Sequence, residues 1–281
     1  MGGDRVRVGT VEIVVIQDAA MLAPCSALFP SVAKEQWEPH REDLQGDAVP
    51  LSITSFLVRA GGKTMLVDTG IGNKSRPFFP NGRLPDALAE AGVRPEDVDV
   101  VLATHIHVDH VGWHTTPTDD GFVPTFPKAR HVFTKAEWDY FTDPASAIPG
   151  GNQYVIDSVL PLRDRVEIDL VDFASEHRLT DEITLLATPG HTPAHTSVAI
   201  ASGGEAAMIW GDVCHHPAQV TELWSPLFDM NPTLAVATRE KVLERLERER
   251  TLVLAGHFAF PGMGRVVTVE GKRYWRAGLS G

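Results

Sequence analysis

Four metal-competent side chains fall within six residues of this chain: His105, His107, Asp109 and His110, in the run Thr104-His105-Ile106-His107-Val108-Asp109-His110-Val111-Gly112. They follow directly on Val98–Ala103, an apolar run that reads as a short buried strand. A strand places His105 and His107 on the same side, and the turn beyond can swing Asp109 and His110 toward a neighbouring site. Imidazole nitrogen and carboxylate oxygen suit Zn²⁺ and neighbouring first-row metals. A packing role does not explain the cluster, because burying that many polar groups without partners is costly.

Three more donors stand at strand ends. His191 lies in Thr188-Pro189-Gly190-His191-Thr192, a tight turn after a strand; Asp212 ends a hairpin; His257 ends the strand after the longest helix. The set is five histidines and two aspartates, seven donors in all. A mononuclear site needs three or four, so seven indicate two metals, with a shared carboxylate as the economical geometry.

The same residues organise the chain. Ser52–Arg59 and Lys63–Val67 read as a hairpin around Ala60-Gly61-Gly62, and Thr196–Ala201 and Ala206–Trp210 as a second around Ser202-Gly203-Gly204. Each hairpin leads to an aspartate, Asp68 or Asp212, then to a helix, then to an apolar strand ending in histidine, His105 or His257. Two related halves facing each other follow from that recurrence. Thr233–Arg250 reads as the longest helix, with Ala235, Val236, Val242, Leu243 and Leu246 on one side. No linker or low-complexity tract interrupts the 281 residues, which favours a single domain over 1–281. Residues 18–50 show no clear period and carry several prolines. They read as a long loop with helical turns, a lid or dimer arm.

Composition excludes other classes. At 43% hydrophobic and 22% charged residues the chain is an ordinary globular one. No stretch approaches the length of a membrane span. Two distant cysteines give no disulfide framework, so a reducing cytoplasm is the expected compartment. A net charge of −12 opposes a nucleic-acid surface.

The order HxHxDH, then TPGHT, then GD, then GH resembles the metallo-β-lactamase-fold hydrolase superfamily, from about Ser52 to His257. Val67-Asp68-Thr69-Gly70 is similar to that superfamily's first motif. The resemblance implies an α/β four-layer sandwich, two mixed sheets with helices outside. It implies His105, His107 and His191 as ligands of one metal, Asp109, His110 and His257 of the second, and Asp212 bridging them. Asp68 would orient a ligand histidine, and His195 would stand behind the ligands. Two divalent ions, zinc first and iron, manganese or cobalt as alternatives, would lower the pKa of a bridging water to give hydroxide. That hydroxide would attack a carbonyl or phosphoryl centre, with Asp109 as a candidate proton carrier to the leaving group.

Within the superfamily the closer resemblance is to methyl-parathion-hydrolase-like enzymes and N-acyl-homoserine-lactone lactonases. It rests on His110-Val111-Gly112-Trp113, on the stretch from Arg130 to Trp138, and on Gly211-Asp212-Val213-Cys214-His215-His216-Pro217. It implies a lactonase or esterase acting on a small neutral molecule, with a side activity on phosphotriesters, and a homodimer. Trp113, Phe78, Phe79, His216, Trp224 and Phe228 are candidate pocket residues. Alternatives are a mononuclear-iron persulfide-dioxygenase-like enzyme, or a β-lactam or thioester hydrolase. About 24 residues follow His257, too few for the glutathione-gripping helical domain of glyoxalase II.

Overall fold

Ile13 and Val15 point to one side of a strand and Val14 and Ile16 to the other, and all four are buried. Strands apolar on both faces need a covering layer on each side. The computed structural model, which describes residues 4–146 and 151–279, supplies both layers.

The first sheet is built from β1 (Arg5–Val8), β2 (Val11–Pro24), β3 (Ala48–Ala60), β4 (Lys63–Val67) and β5 (Val100–Leu102). A small hairpin, β6 (Thr115–Thr118) with β7 (Gly121–Pro124), interrupts it before β8 (Arg130–Thr134) and β9 (Ile168–Val171) complete it. The second sheet runs in chain order: β10 (Glu176–Arg178), β11 (Ile183–Ala187), β12 (Thr196–Ser202), β13 (Glu205–Ile209), β14 (Leu252–Leu254), β15 (Met263–Val269) and β16 (Lys272–Ala277). The helices are α1 (Cys25–Leu28), α2 (Leu84–Glu90), α3 (Lys135–Thr142), α4 (Gln153–Ser158), α5 (Ala218–Glu222) and α6 (Pro232–Glu249).

Both halves repeat one plan. The hairpin β3–β4 is followed across α2 by the parallel strand β5, and the hairpin β12–β13 is followed across α6 by the parallel strand β14. The inner faces meet in one core, where Phe56, Val58, Met65 and Leu102 pack with Leu185, Val198, Ile209 and Leu254. The outer faces are closed by helices. Leu84, Ala87 and Leu88 of α2 cover Leu57, Leu66 and Val101, while Val242, Leu243 and Leu246 of α6 cover Met208 and Val253. The result is the helix–sheet–sheet–helix sandwich expected from the motifs. α6 starts at Pro232, its fixed φ suited to a first helical position, and the Asn231 side chain accepts from the Leu234 N–H at 3.1 Å.

Residues 18–50 are not one long loop. β2 continues to Pro24 and β3 already begins at Ala48, so the ends of that segment form a ribbon. The register slips between Gln17 and Ala19, and this bulge turns Asp18 inward. There its carboxylate accepts from the Ile71 and Leu84 N–H groups and the Trp113 indole, which holds it although burial pushes its pKa up. Between the strands lie α1 and a 3-10 helix, Lys34–Asp43, seated through Phe29 and Trp37 on Trp224 and Ala218. No helix among the described residues is long and apolar enough to cross a membrane.

Candidate metal centre

The donors collect because both halves deliver them to the same edge. β4 ends one residue before Asp68 and β5 two before Thr104, while β13 and β14 end just before Asp212 and His257. His191 comes from the turn between β11 and β12. Two glycines make the approach feasible. A Cβ on Gly211 (φ +58°) would lie 2.5 Å from His195 Nε2, and one on Gly112 would lie 2.0 Å from the Ile71 carbonyl carbon.

Buried anchors fix the rings. His110 Nδ1–H donates to Asp68 at 2.8 Å, His191 Nδ1–H to Asp229 at 3.0 Å, and His257 Nδ1–H to the Ser52 carbonyl at 2.8 Å. Thr104 Oγ1 donates to Asp68 at 2.9 Å, so its oxygen is free to accept from His105 Nδ1–H at 3.1 Å. With each Nδ1 carrying the proton, four Nε2 lone pairs face inward. They converge with His107 Nδ1, which lies 2.9 Å from His191 Nε2 and 3.1 Å from His105 Nε2. His110 Nε2 and His257 Nε2 are 3.3 Å apart. Lone pairs at such separations repel unless a cation or proton lies between them.

Asp212 divides its two oxygens. Oδ2 lies 3.1 Å from His191 Nε2 and 3.6 Å from His105 Nε2, while Oδ1 lies 3.2 Å from His110 Nε2 and 3.1 Å from His257 Nε2. Within each of the groups His105–His107–His191–Asp212 and Asp109–His110–His257, one donor atom per residue lies within 4.8 Å of the others. The protonation pattern shows the same demand for positive charge. Burial and neighbouring rings push His105 and His107 well below the usual imidazole range. Burial also opposes charge on His191, yet Asp212 and Asp229 raise it to about 9, and His110 rises well above its ordinary value for similar reasons. This donor set fits a divalent cation.

His195 accepts from the Asp212 N–H at 2.8 Å and bonds Thr188 Oγ1 at 2.8 Å. It stands behind His105 and His191 and fixes the Asp212 backbone. His215, which the motifs only bracketed, reaches the centre: its Nε2 is 3.0 Å from Asp212 Oδ2 and its ring stacks on His257. Sequence reasoning missed Asp229, Arg239 and Glu137. Buried Glu137 accepts from the Ile106 N–H at 3.1 Å and the Ala194 N–H at 3.0 Å, joining the two ligand loops, and burial raises its pKa to about 7. Even Glu137, inside the Arg130–Trp138 stretch, carries no local signal of such contacts, because its partners lie far along the chain.

The suggested pocket residues scatter. Trp113 is buried under α2 with its indole on Asp18, because Gly112 docks against Ile71 and turns the next residue into the core. Phe78 is 95% exposed at φ +70° and forms no wall; Phe79 is half-buried on the same loop. His216 turns away from the donors toward Trp37, and Trp224 packs on Trp37, Phe29 and His40. Both are drawn into the aromatic cluster of the 25–44 segment. Phe228 is half-exposed beside Asp229. The apolar ring beside His107 is instead Phe141, in a cluster against which Val108 and Met230 also pack.

The family model of the metallo-beta-lactamase superfamily matches residues 48–257. An N-acyl homoserine lactonase of Bacillus sp is 20% identical over 229 residues, 75% of this chain and 83% of that protein. AttM, an N-acyl homoserine lactonase of Rhizobium radiobacter, is 24% identical over 61% of this chain and 62% of its own length. Among solved structures, the hydrolase AbOPH shares 26% identity at a TM-score of 0.83, covering 96% of this chain and 95% of that one. The dizinc quorum-quenching lactonase AidC shares 20% identity at a TM-score of 0.83, covering 98% and 97%. The match spans both repeated halves and ends on His257, the last of the converging donors, and the chain thus belongs to the metallo-beta-lactamase superfamily, as a metal-dependent hydrolase.

Proposed function

We propose that this enzyme holds two divalent ions, zinc first, and opens lactones or cleaves esters of small neutral molecules. One observation carries the two-ion reading: Asp212 aims one oxygen at the His105–His191 side and the other at the His110–His257 side. His105, His107 and His191 hold one ion, Asp109, His110 and His257 the second, and Asp212 is shared. When bound, such a pair supplies hydroxide near neutral pH and positive charge for a developing oxyanion.

The remaining roles fall to this chain's own residues. Asp109 is the most exposed of the carboxylates at the centre, with 19% of its side chain accessible against 4% for Asp212. It is placed to pass a proton to the leaving oxygen. We assign the apolar side of the substrate to Phe141, which meets the His107 ring, and to Val108 and Met230 in the same cluster. The aromatic segment around Phe29 and Trp37 closes the side nearest His216. The names of the relatives, lactonases among them, support a neutral lactone as substrate.

A substrate panel on zinc-loaded protein tests this: an acyl-homoserine lactone, an aryl ester, a phosphotriester and a chromogenic β-lactam. Turnover of the lactone or the ester, lost on chelation, is the expected result, with the phosphotriester slower. Turnover of the β-lactam alone overturns the substrate assignment. One iron per chain with oxygen consumption overturns the hydrolytic one.

A further inference from the structure

Arg239 is the only lysine or arginine among the described residues whose side chain is fully enclosed, at 1% exposure. It sits on the inner side of α6 and touches none of the seven donors. A buried guanidinium needs every donor engaged, and here two of the nitrogens bond residues next to the centre while the third bonds the Leu223 and Trp224 carbonyls. Nη2 donates to Asp229 Oδ2 at 3.1 Å, Nε to the Val213 carbonyl at 2.6 Å, and Nη1 to the Trp224 carbonyl at 2.9 Å. Val213 follows Asp212 directly. Asp229 in turn accepts from His191 Nδ1–H at 3.0 Å and from Ser225 Oγ at 2.8 Å.

We propose that Arg239 and Asp229 form a positioning relay, set by α6, that aims His191 Nε2 and fixes the Asp212 loop, so that metal occupancy at His105–His107–His191 depends on it. The proposal rests on the two-ion reading above. Asp229 by itself would hold the proton on His191 Nδ1 and leave Nε2 free to ligate. Arg239 adds two things. It balances a carboxylate buried with no access to water, and its other donors tie that carboxylate to the Val213 and Trp224 carbonyls, a span that a single ammonium does not reproduce.

The other group is anchored differently. Asp68 bonds Thr104 and His110, and among the described residues no arginine or lysine pairs with it. The two anchors lie on opposite halves and share no residue. Asp229 bonds one donor, His191, whereas Asp68 reaches His110 directly and His105 through Thr104. Damage at Asp229 should therefore weaken the His105–His107–His191 ion more than the other, a bias that general destabilisation does not produce.

The test is cobalt titration of the metal-free protein, followed by visible absorption and calorimetry, for wild type, Asp229→Asn, Asp68→Asn, the double variant and Arg239→Lys. Asp229→Asn should weaken the ion held by His191 about 10- to 100-fold, and Asp68→Asn, which loosens both His110 and Thr104–His105, should weaken both ions. The double variant should weaken both. Arg239→Lys keeps the charge but cannot keep all of the guanidinium bonds to Asp229, Val213 and Trp224, and should weaken most the ion that Asp229→Asn weakens. Arg239→Met adds the loss of charge, and if it fails to fold, Asp229→Asn and Arg239→Lys decide. Variants with lowered melting temperature that bind both ions at wild-type affinity overturn the relay. A wild type that takes up a single ion overturns the two-ion reading alone; the relay then stands or falls on whether Asp229→Asn changes that ion's Kd.

Discussion

At the scale of single residues, the centre is a set of imidazoles in which the outward nitrogens of His105, His110, His191 and His257 are each held by a hydrogen bond. Removing the Asp212 carboxylate takes away the charge that the nitrogens of both groups converge on. Asp212→Ala should therefore lose both ions and reduce lactone turnover to background, measured by metal analysis and initial rates on one preparation; an active, metal-free Asp212→Ala protein would sink the mechanism. Away from the centre, His131 is held neutral. Burial lowers its pKa to about 4, and its Nε2–H donates to the Phe126 carbonyl while Nδ1 faces His114 Nδ1 at 2.9 Å. A histidine with a lowered folded pKa contributes stability above its unfolded value of about 6.5 and loses it as pH falls toward the folded one. Wild type should lose up to about 3 kcal/mol more than His131→Asn between pH 6.5 and 4, read from urea unfolding; parallel pH profiles would count against it. The seven donors were legible because each stands at the end of an apolar run inside a short motif. Asp18, Glu137, Asp229 and Arg239 were not. Their partners lie far along the chain, and only the fold brings an isolated charge to its hydrogen bonds.

At the scale of elements, two hairpins and two parallel strands carry the site, and these read well from glycine turns and apolar runs. α6 was legible for the same reason, and it closes one outer face through Leu246, which is fully buried. Leu246→Ala should cost about 2–5 kcal/mol and lower the melting temperature without changing the metal ratio of the folded fraction. The β2–β3 ribbon was misread. Its bulge at Asp18 breaks the alternation, and past that point the strand is polar or exposed on one face, with Pro24 and Pro50 paired into it as residues that usually mark loops. The short strands β1, β10 and β16 were also missed, because exposed strands of three to six residues carry too few apolar positions to show a period. Trp37 ties the segment between the ribbon strands to Trp224 and His216. Trp37→Ala should raise KM for an acyl lactone more than it lowers kcat if that segment bounds the substrate; an unchanged KM would assign it to packing alone.

At the scale of the whole molecule, the two halves meet through an apolar core and again through the donors. Metal binding should therefore hold the halves together as well as supply chemistry. An ion that binds only the folded chain stabilises it by about 2.7 kcal/mol at a hundredfold excess over Kd. Chelation should lower the melting temperature by several degrees and zinc should restore it. The two related halves followed from the repeated hairpin–helix–strand pattern and the four-layer plan from the family resemblance, whereas the packing of the aromatic side chains did not, since it depends on which of them the core recruits. The most direct test of the central claim is the zinc-to-protein ratio of the wild-type chain after loading and gel filtration. Two ions per chain is the predicted result, and a single ion at saturation would contradict it.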